Sequence, residues 1–313
     1  HYTLAEAYIQ DSWKLKPRLT VDFGVRFSYF GPWTDNLGNG MAAYNAANYG
    51  DGSGSYPGIS YTAIDPNTPL SGVDGSWLFL PPRVGFAWDL KGTGETVVRG
   101  GAGMYRFHEP QAFYSSLLAL GAGQRSYGTD GVYLKSLEGL GGGALPGAAE
   151  TIQFDDNQQP LAYTWSLTLN QKLPWSMNVE VGYVGNKNVN QDNSNIANIN
   201  AIPLGAMLGN PDGNEQAYRP LQAYGNLNVY RHNMYANYNS VQTLLSRQRG
   251  SFNFTAAYTF SKALGVRSGG VGQAGPSEYL LPVREYNYGI LSTDRTHVAS
   301  VSFSWLLGEF KDN

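Results

Sequence analysis

Apolar and polar residues alternate with period 2 over the first thirty positions, and the alternation breaks once, at Lys16-Pro17-Arg18. Leu19, Val21, Phe23, Val25, Phe27 and Tyr29 are apolar or aromatic, while Thr20, Asp22, Gly24, Arg26 and Ser28 between them are small, polar or charged. Successive strand side chains point to opposite sides, so this is a strand with one apolar and one polar face. Two such arms joined by a short turn predict a hairpin from Tyr2 to Tyr29. Its arms run roughly 11 to 14 residues, longer than the ~5–6 usual in globular sheets and near the ~9–11 that cross a bilayer at a tilt. Trp13 near the turn and Tyr29 at the far end fall where interfacial aromatics sit in membrane proteins.

The pattern returns along the chain. Val84, Phe86, Trp88 and Leu90 alternate with Arg83, Gly85, Ala87 and Asp89, and after a turn at Lys91-Gly92-Thr93-Gly94 the return arm TVVRGGAGMYRF completes a second hairpin. Tyr163, Trp165, Leu167 and Leu169 open a third, which turns at Pro174-Trp175-Ser176 into Val179, Val181 and Tyr183. NYNSVQTLLSRQ and FNFTAAYTFSKAL make a fourth across Arg249-Gly250-Ser251, and HVASVSFSWLL adds a ninth strand. Between them lie long Gly-, Asn- and Tyr-rich loops, Phe30 to Leu80, His108 to Pro160 and Asn186 to Asn233, then a shorter one ending at Asp294; Ser115 to Gly121 within the second predicts a short helix.

Short turn then long loop, four times over, is the layout of a bacterial outer-membrane barrel, whose turns are periplasmic and whose loops are extracellular. The fold class is all-β: an antiparallel transmembrane barrel segment of about nine strands in sequential neighbour order, with no parallel pair. Phe23, Phe27, Phe86, Trp88, Trp165, Leu169, Phe254 and Phe303 are expected to share the outward face. Nine strands is an odd number with two bare edges, which the hydrocarbon core does not tolerate. Residues 1–313 therefore read as part of one barrel domain, in which strand one and strand nine do not pair with each other.

Composition narrows the function. Charged residues are 14% of the 313, against ~25% in soluble chains, and polarity comes from uncharged residues including 22 Tyr and 39 Gly. A net charge of −3 with no run of Lys and Arg excludes a nucleic-acid partner. The absence of cysteine removes disulfide scaffolds, thiolate metal sites and cysteine nucleophiles. No apolar run is long enough for a spanning helix, which leaves a barrel open. The chain begins in a strand pattern with no signal peptide and reads as a piece.

Several segments also carry a family likeness. Gln10-Asp11, Trp13, Pro17, Leu19-Thr20, Gly24 and Arg26 in AYIQDSWKLKPRLTVDFGVRFSY resemble a hairpin of TonB-dependent outer-membrane receptors. PPRVGFAWDLKGTGETVVRGGAGMYRF looks like paired strands of the Oar-like subgroup, which bears an N-terminal carboxypeptidase-regulatory-like domain. LNQKLPWSMNVEVGYVGNKN, NYNSVQTLLSRQRGSFNFTAAYTFSKAL and STDRTHVASVSFSWLLG extend the resemblance over all nine strands. It implies a barrel of about 22 strands with a plugged lumen, an energising partner of the TonB type and uptake of a large solute. With no plug, TonB box or terminal aromatic strand, it implies a mid-barrel segment.

Enzyme signatures are lacking. His1, His108, His232 and His297 have no metal-ligand spacing, His108-Glu109 lacks the second histidine of a zincin, and Arg99-Gly100-Gly101-Ala102-Gly103 lies in a strand and opens no helix. Asp155-Asp156-Asn157 and the run at Asp51 carry calcium-friendly oxygens without a full loop pattern, so no metal or cofactor is expected. Loop aromatics Trp33, Tyr56, Tyr61, Trp77, Tyr127, Tyr133, Tyr218 and Tyr230 are candidates to stack on a sugar or peptide, with packing among the loops as the plainer role. Asp22, Arg26, Arg83, Asp89, Arg99 and Glu180 are candidates for the lumen face, where they line a solute path, bind a plug, or simply pair across strands. Two further readings stand beside the transporter: a structural or adhesive surface barrel, and a soluble glycan-binding sandwich.

Overall fold

The computed structural model describes residues 1–34, 37–53, 56–74, 78–107, 147–193, 196–266 and 276–307. In chain order its strands begin with β1 (Leu4–Lys16), β2 (Leu19–Phe30), β3 (Ala43–Tyr44), β4 (Ile59–Ser60), β5 (Leu78–Phe79), β6 (Pro82–Asp89) and β7 (Thr96–Arg106). They continue with β8 (Ala149–Gln153), β9 (Leu161–Leu173), β10 (Met177–Asp192), β11 (Leu227–Tyr230), β12 (His232–Arg247), β13 (Phe252–Val266), β14 (Tyr288–Ile290) and β15 (His297–Trp305). The expected helix at Ser115 to Gly121 lies outside the described residues.

Nine long strands form one antiparallel wall in the order β1-β2-β6-β7-β9-β10-β12-β13-β15, with the short β5 and β14 beside β2 and β13. Register sorts the side chains by face. One row runs Phe23, Val84, Ala102, Trp165, Gly185, Asn239 and Lys262; the next, on the other side, runs Asp22, Gly85, Gly101, Ser166, Val184, Ser240 and Ser261. All eight residues expected on one face are there, and Trp88, Leu169 and Phe303 among them are solvent-accessible rather than packed. Two glycines make room on that face. A Cβ on Gly100 would come 2.6 Å from the Phe86 ring, and one on Gly185 would overlap the Trp165 indole, so each ring lies across the bare backbone of its neighbour. Among the described residues β1 pairs only with β2 and β15 only with β13, which leaves the sheet open.

The buried core is elsewhere, in the loops. β11, β8, β3 and β4 form a second, four-stranded sheet in that order. Met41, Ala43, Val73, Ile152, Ala197 and Tyr230 make one cluster, and Ala42, Tyr44, Ile59, Ala149, Tyr224, Leu227 and Val229 another. This sheet corrects one expectation: β11 pairs β8 in parallel, and so does β3. Its strands come from three different long loops, so no short turn forces the antiparallel direction. The wall itself contains no parallel pair among the described residues.

Candidate functional site

Asp22, Arg26, Arg83, Asp89, Arg99 and Glu180 all stand on the polar face of the wall, by register. Their local partners differ. Arg26 Nη1 lies 3.3 Å from Glu6 Oε1, and Ser28 Oγ donates to the same oxygen at 2.8 Å. The Arg83 guanidinium sits 4.4 Å over the Tyr105 ring. Glu180 accepts from Asn170 Nδ2 at 3.3 Å. Arg99, flanked by Ala87 and Thr168, and Asp22, flanked by Ser12 and Gly85, make no ion pair among the described residues. Asp89 is a correction: its carboxylate accepts from the Gly92 and Gly94 amides, each at 2.8 Å, and caps its own turn instead of facing a solute path. Small residues between these charges, Gly85, Ala87 and Gly101, leave that face shallow.

The loop aromatics are drawn inward. Trp33 packs on the first cluster with its ring 4.5 Å from Tyr2, and Tyr56 and Tyr61 pack on the second. Tyr230 is buried within the first cluster, which withdraws it as a stacking surface for a solute. Tyr218 ends a 3-10 turn and stays half-exposed, while Trp77, Tyr127 and Tyr133 lie outside the described residues. Tyr224 Oη donates to Pro57 O at 2.9 Å, and burial pushes the ionisation of this phenol well above its ordinary range.

Three polar pins that spacing did not reveal order the loops: two hold them to the wall and the third ties one loop to itself. Arg231 meets the buried Glu278 through two hydrogen bonds, at 2.9 and 2.8 Å, and the same carboxylate accepts from Asn193 at 2.6 Å and Asn233 at 2.8 Å. Those bonds to Glu278 raise the Arg231 pKa above its usual value. Asp156 Oδ2 takes the His232 amide at 3.0 Å and its Nδ1 at 2.7 Å; the acidic run at Asp155, noted for its calcium-friendly oxygens, therefore serves a contact within the chain. Asn200, wholly buried, accepts from Leu221 N at 2.7 Å and donates to Gly225 O at 2.7 Å. Partners 47 and 85 residues apart leave no local signature.

A wall with one lipid-compatible face, one polar face, tight turns at one end and folded loops at the other is the wall of a membrane β-barrel. The chain belongs to the outer membrane beta barrel domain family, which it matches over residues 1–313, and it is accordingly a protein of the outer membrane. Among curated protein sequences none matches. Similar solved structures include the FrpB iron transporter of Neisseria meningitidis, at 13% identity and a TM-score of 0.43, over 84% of this chain and 26% of that one. The ferripyoverdine receptor of Pseudomonas aeruginosa is similar at 10% identity and a TM-score of 0.46, over 98% and 26%. The siderophore receptor PiuA of Acinetobacter baumannii is similar at 10% and 0.46, over 96% and 31%. The chain thus spans about a quarter to a third of these chains.

Proposed function

We propose that this chain is a mid-barrel segment of an Oar-like, TonB-dependent receptor, and that the whole receptor takes up a large solute such as an oligosaccharide, a peptide or a metal chelate. On this reading residues 1–313 are part of one barrel domain whose plug and further strands lie in other sequence, and a TonB-type protein supplies the energy through the region that bears the plug. The observation that carries it is the polar face of the open wall. Its charges are spaced by glycine, and Arg99 and Asp22 have no ionic partner among the described residues, which suits a wide lumen occupied by something other than wall side chains. A rival reading, an adhesive surface barrel, draws on Leu204 and Leu208, which the loop layer leaves exposed.

Paired gene deletions separate the two. Cells lacking the intact protein and cells lacking the energising protein are compared for growth on peptides, oligosaccharides and chelated metals as limiting nutrients. The transport reading expects a shared defect on at least one nutrient. A defect in surface attachment alone, unaffected by loss of the energising protein, overturns it.

A further inference from the structure

Near the loops, the apolar face of the wall changes character. Register places Lys187, Asn237, Asn239 and Lys262 on the face that carries Leu167 and Val241 nearer the middle. Lys187 stands between Tyr163 and Asn237, and Lys262 beside Asn239. Two strands and one residue pair separate the lysines, about 12 Å between Cα atoms from a ~4.8 Å strand spacing and a ~3.3 Å rise. A third cation adjoins them. The Arg284 guanidinium lies 4.0 Å over the Tyr288 ring, and Tyr288 Oη accepts from Asn237 Nδ2 at 2.8 Å. Tyr183 Oη donates to Asn239 Oδ1 at 2.6 Å, so the ground between the lysines is polar while rings flank it.

A barrel turns this face to lipid, and its long-loop end to the outer leaflet. There a lysine stem lies along apolar surface while its ammonium reaches the headgroup level. The faces differ at this height: Ser240, Ser261 and Ala263 on the polar side are buried, whereas Lys187 and Arg284 are exposed. Asp294, 3.7 Å from Lys262, pairs with one of the three cations, and the exposed Glu285 follows Arg284 in sequence; the ammonium of Lys187 has no ion-pair partner among the described residues. In the Gram-negative outer membrane that leaflet is built of phosphorylated glycolipid. We propose that Lys187, Lys262 and Arg284 form a docking site for the anionic headgroup of that glycolipid, with Asn237 and Asn239 offered to its sugar oxygens. The inference rests on the outer-membrane location and not on the transport reading.

The test uses the intact protein in micelles, with bisphosphorylated lipid A as probe, dephosphorylated lipid A as its control, and inorganic pyrophosphate for a free-phosphate site. Binding is read from the shift in unfolding temperature and by native mass spectrometry. The wild type is expected to bind the bisphosphorylated lipid and neither control. Each cation near an anionic surface is worth roughly fivefold, so K187Q/K262Q/R284Q together weaken binding about a hundredfold. K172Q, near the turns on the other face, leaves binding unchanged. Equal binding of dephosphorylated lipid, or of pyrophosphate alone, overturns the proposal in the wild type without any variant; undiminished binding by the folded triple variant overturns it as well.

Discussion

Two neighbouring substitutions decide which face of the wall meets lipid. Leu167 lies six residues from either end of β9, hence near the middle of the bilayer, and it is 52% exposed between Gly100 and Tyr183. Ser166 points the other way, between Gly101 and Val184. An arginine on the lipid face at the midplane costs about 2–4 kcal/mol, whereas lumen substitutions bear on selectivity more than on stability. L167R should therefore lower the folding equilibrium constant about 30- to 700-fold, at roughly 1.4 kcal/mol per factor of ten. S166R adds the same charge and volume one residue away, where the Gly101 backbone leaves space, and should lose less than about a tenth of that stability. Both variants of the intact protein are folded into phospholipid vesicles and titrated with urea, the folded fraction being read from heat-modifiable gel mobility. Equal losses, or a larger loss in S166R, would refute the assignment of faces.

The loop layer offers further tests. R231A removes the partner of a buried carboxylate, so the loops should loosen by about 3–5 kcal/mol, seen as faster amide exchange across β11; E278Q, which keeps hydrogen bonds, should cost less. G185V places a side chain inside the Trp165 ring and should cost about 1–3 kcal/mol in urea titration, with a shifted tryptophan emission from the displaced indole. Asp294 accepts from Ala263 N at 2.6 Å and Thr296 Oγ1 at 2.7 Å, and chiefly the first bond holds its carboxyl below the ordinary value of 3.8. Its contribution is present above that value and is lost as pH falls through the depressed one, so the protection of the Ala263 amide relative to its intrinsic exchange rate should fall in acid, and D294N should flatten that dependence.

How much of this was legible in the sequence depends on the solvent each segment meets. Inside the bilayer the two faces of a strand meet different media, so alternation such as Val21-Asp22-Phe23-Gly24 encodes both the strand and its orientation. Beyond the bilayer that distinction disappears. β10 runs on through Asn186, Lys187, Asn188, Val189, Asn190 and Gln191 to Asp192, and β12 begins at His232, although sequence reading placed a loop over those residues. The loop layer covers the polar-side face of this extension and buries His232 and Met234, so the two faces are no longer divided between lipid and lumen and the period loses its cause. The four-stranded loop sheet was less legible still. β3 and β4 are two residues each, and β8 finds its parallel partners in loops on either side of it in sequence, a choice set by burial of Ile152, Leu227 and Val229 rather than by a turn.

The loop layer and the wall are joined by the polar pins, and their chemistry suits that junction. Arg231 sits between β11 and β12, Asn193 follows β10, Asp156 precedes β9 and Glu278 comes from the segment before β14. Four connections thus converge where chain leaves the wall for the loops. An apolar contact there would tolerate sliding, since hydrophobic burial has no direction. Directed bonds do not: Asn193 Oδ1 takes the Arg231 amide at 2.9 Å while its Nδ2 meets Glu278, and a one-residue slip of β12 against β10 would break both and leave a buried carboxylate without its guanidinium. The pins therefore carry the register of the wall up into the loops, so that the layer over the polar face is positioned by the strands beneath it although its core is its own.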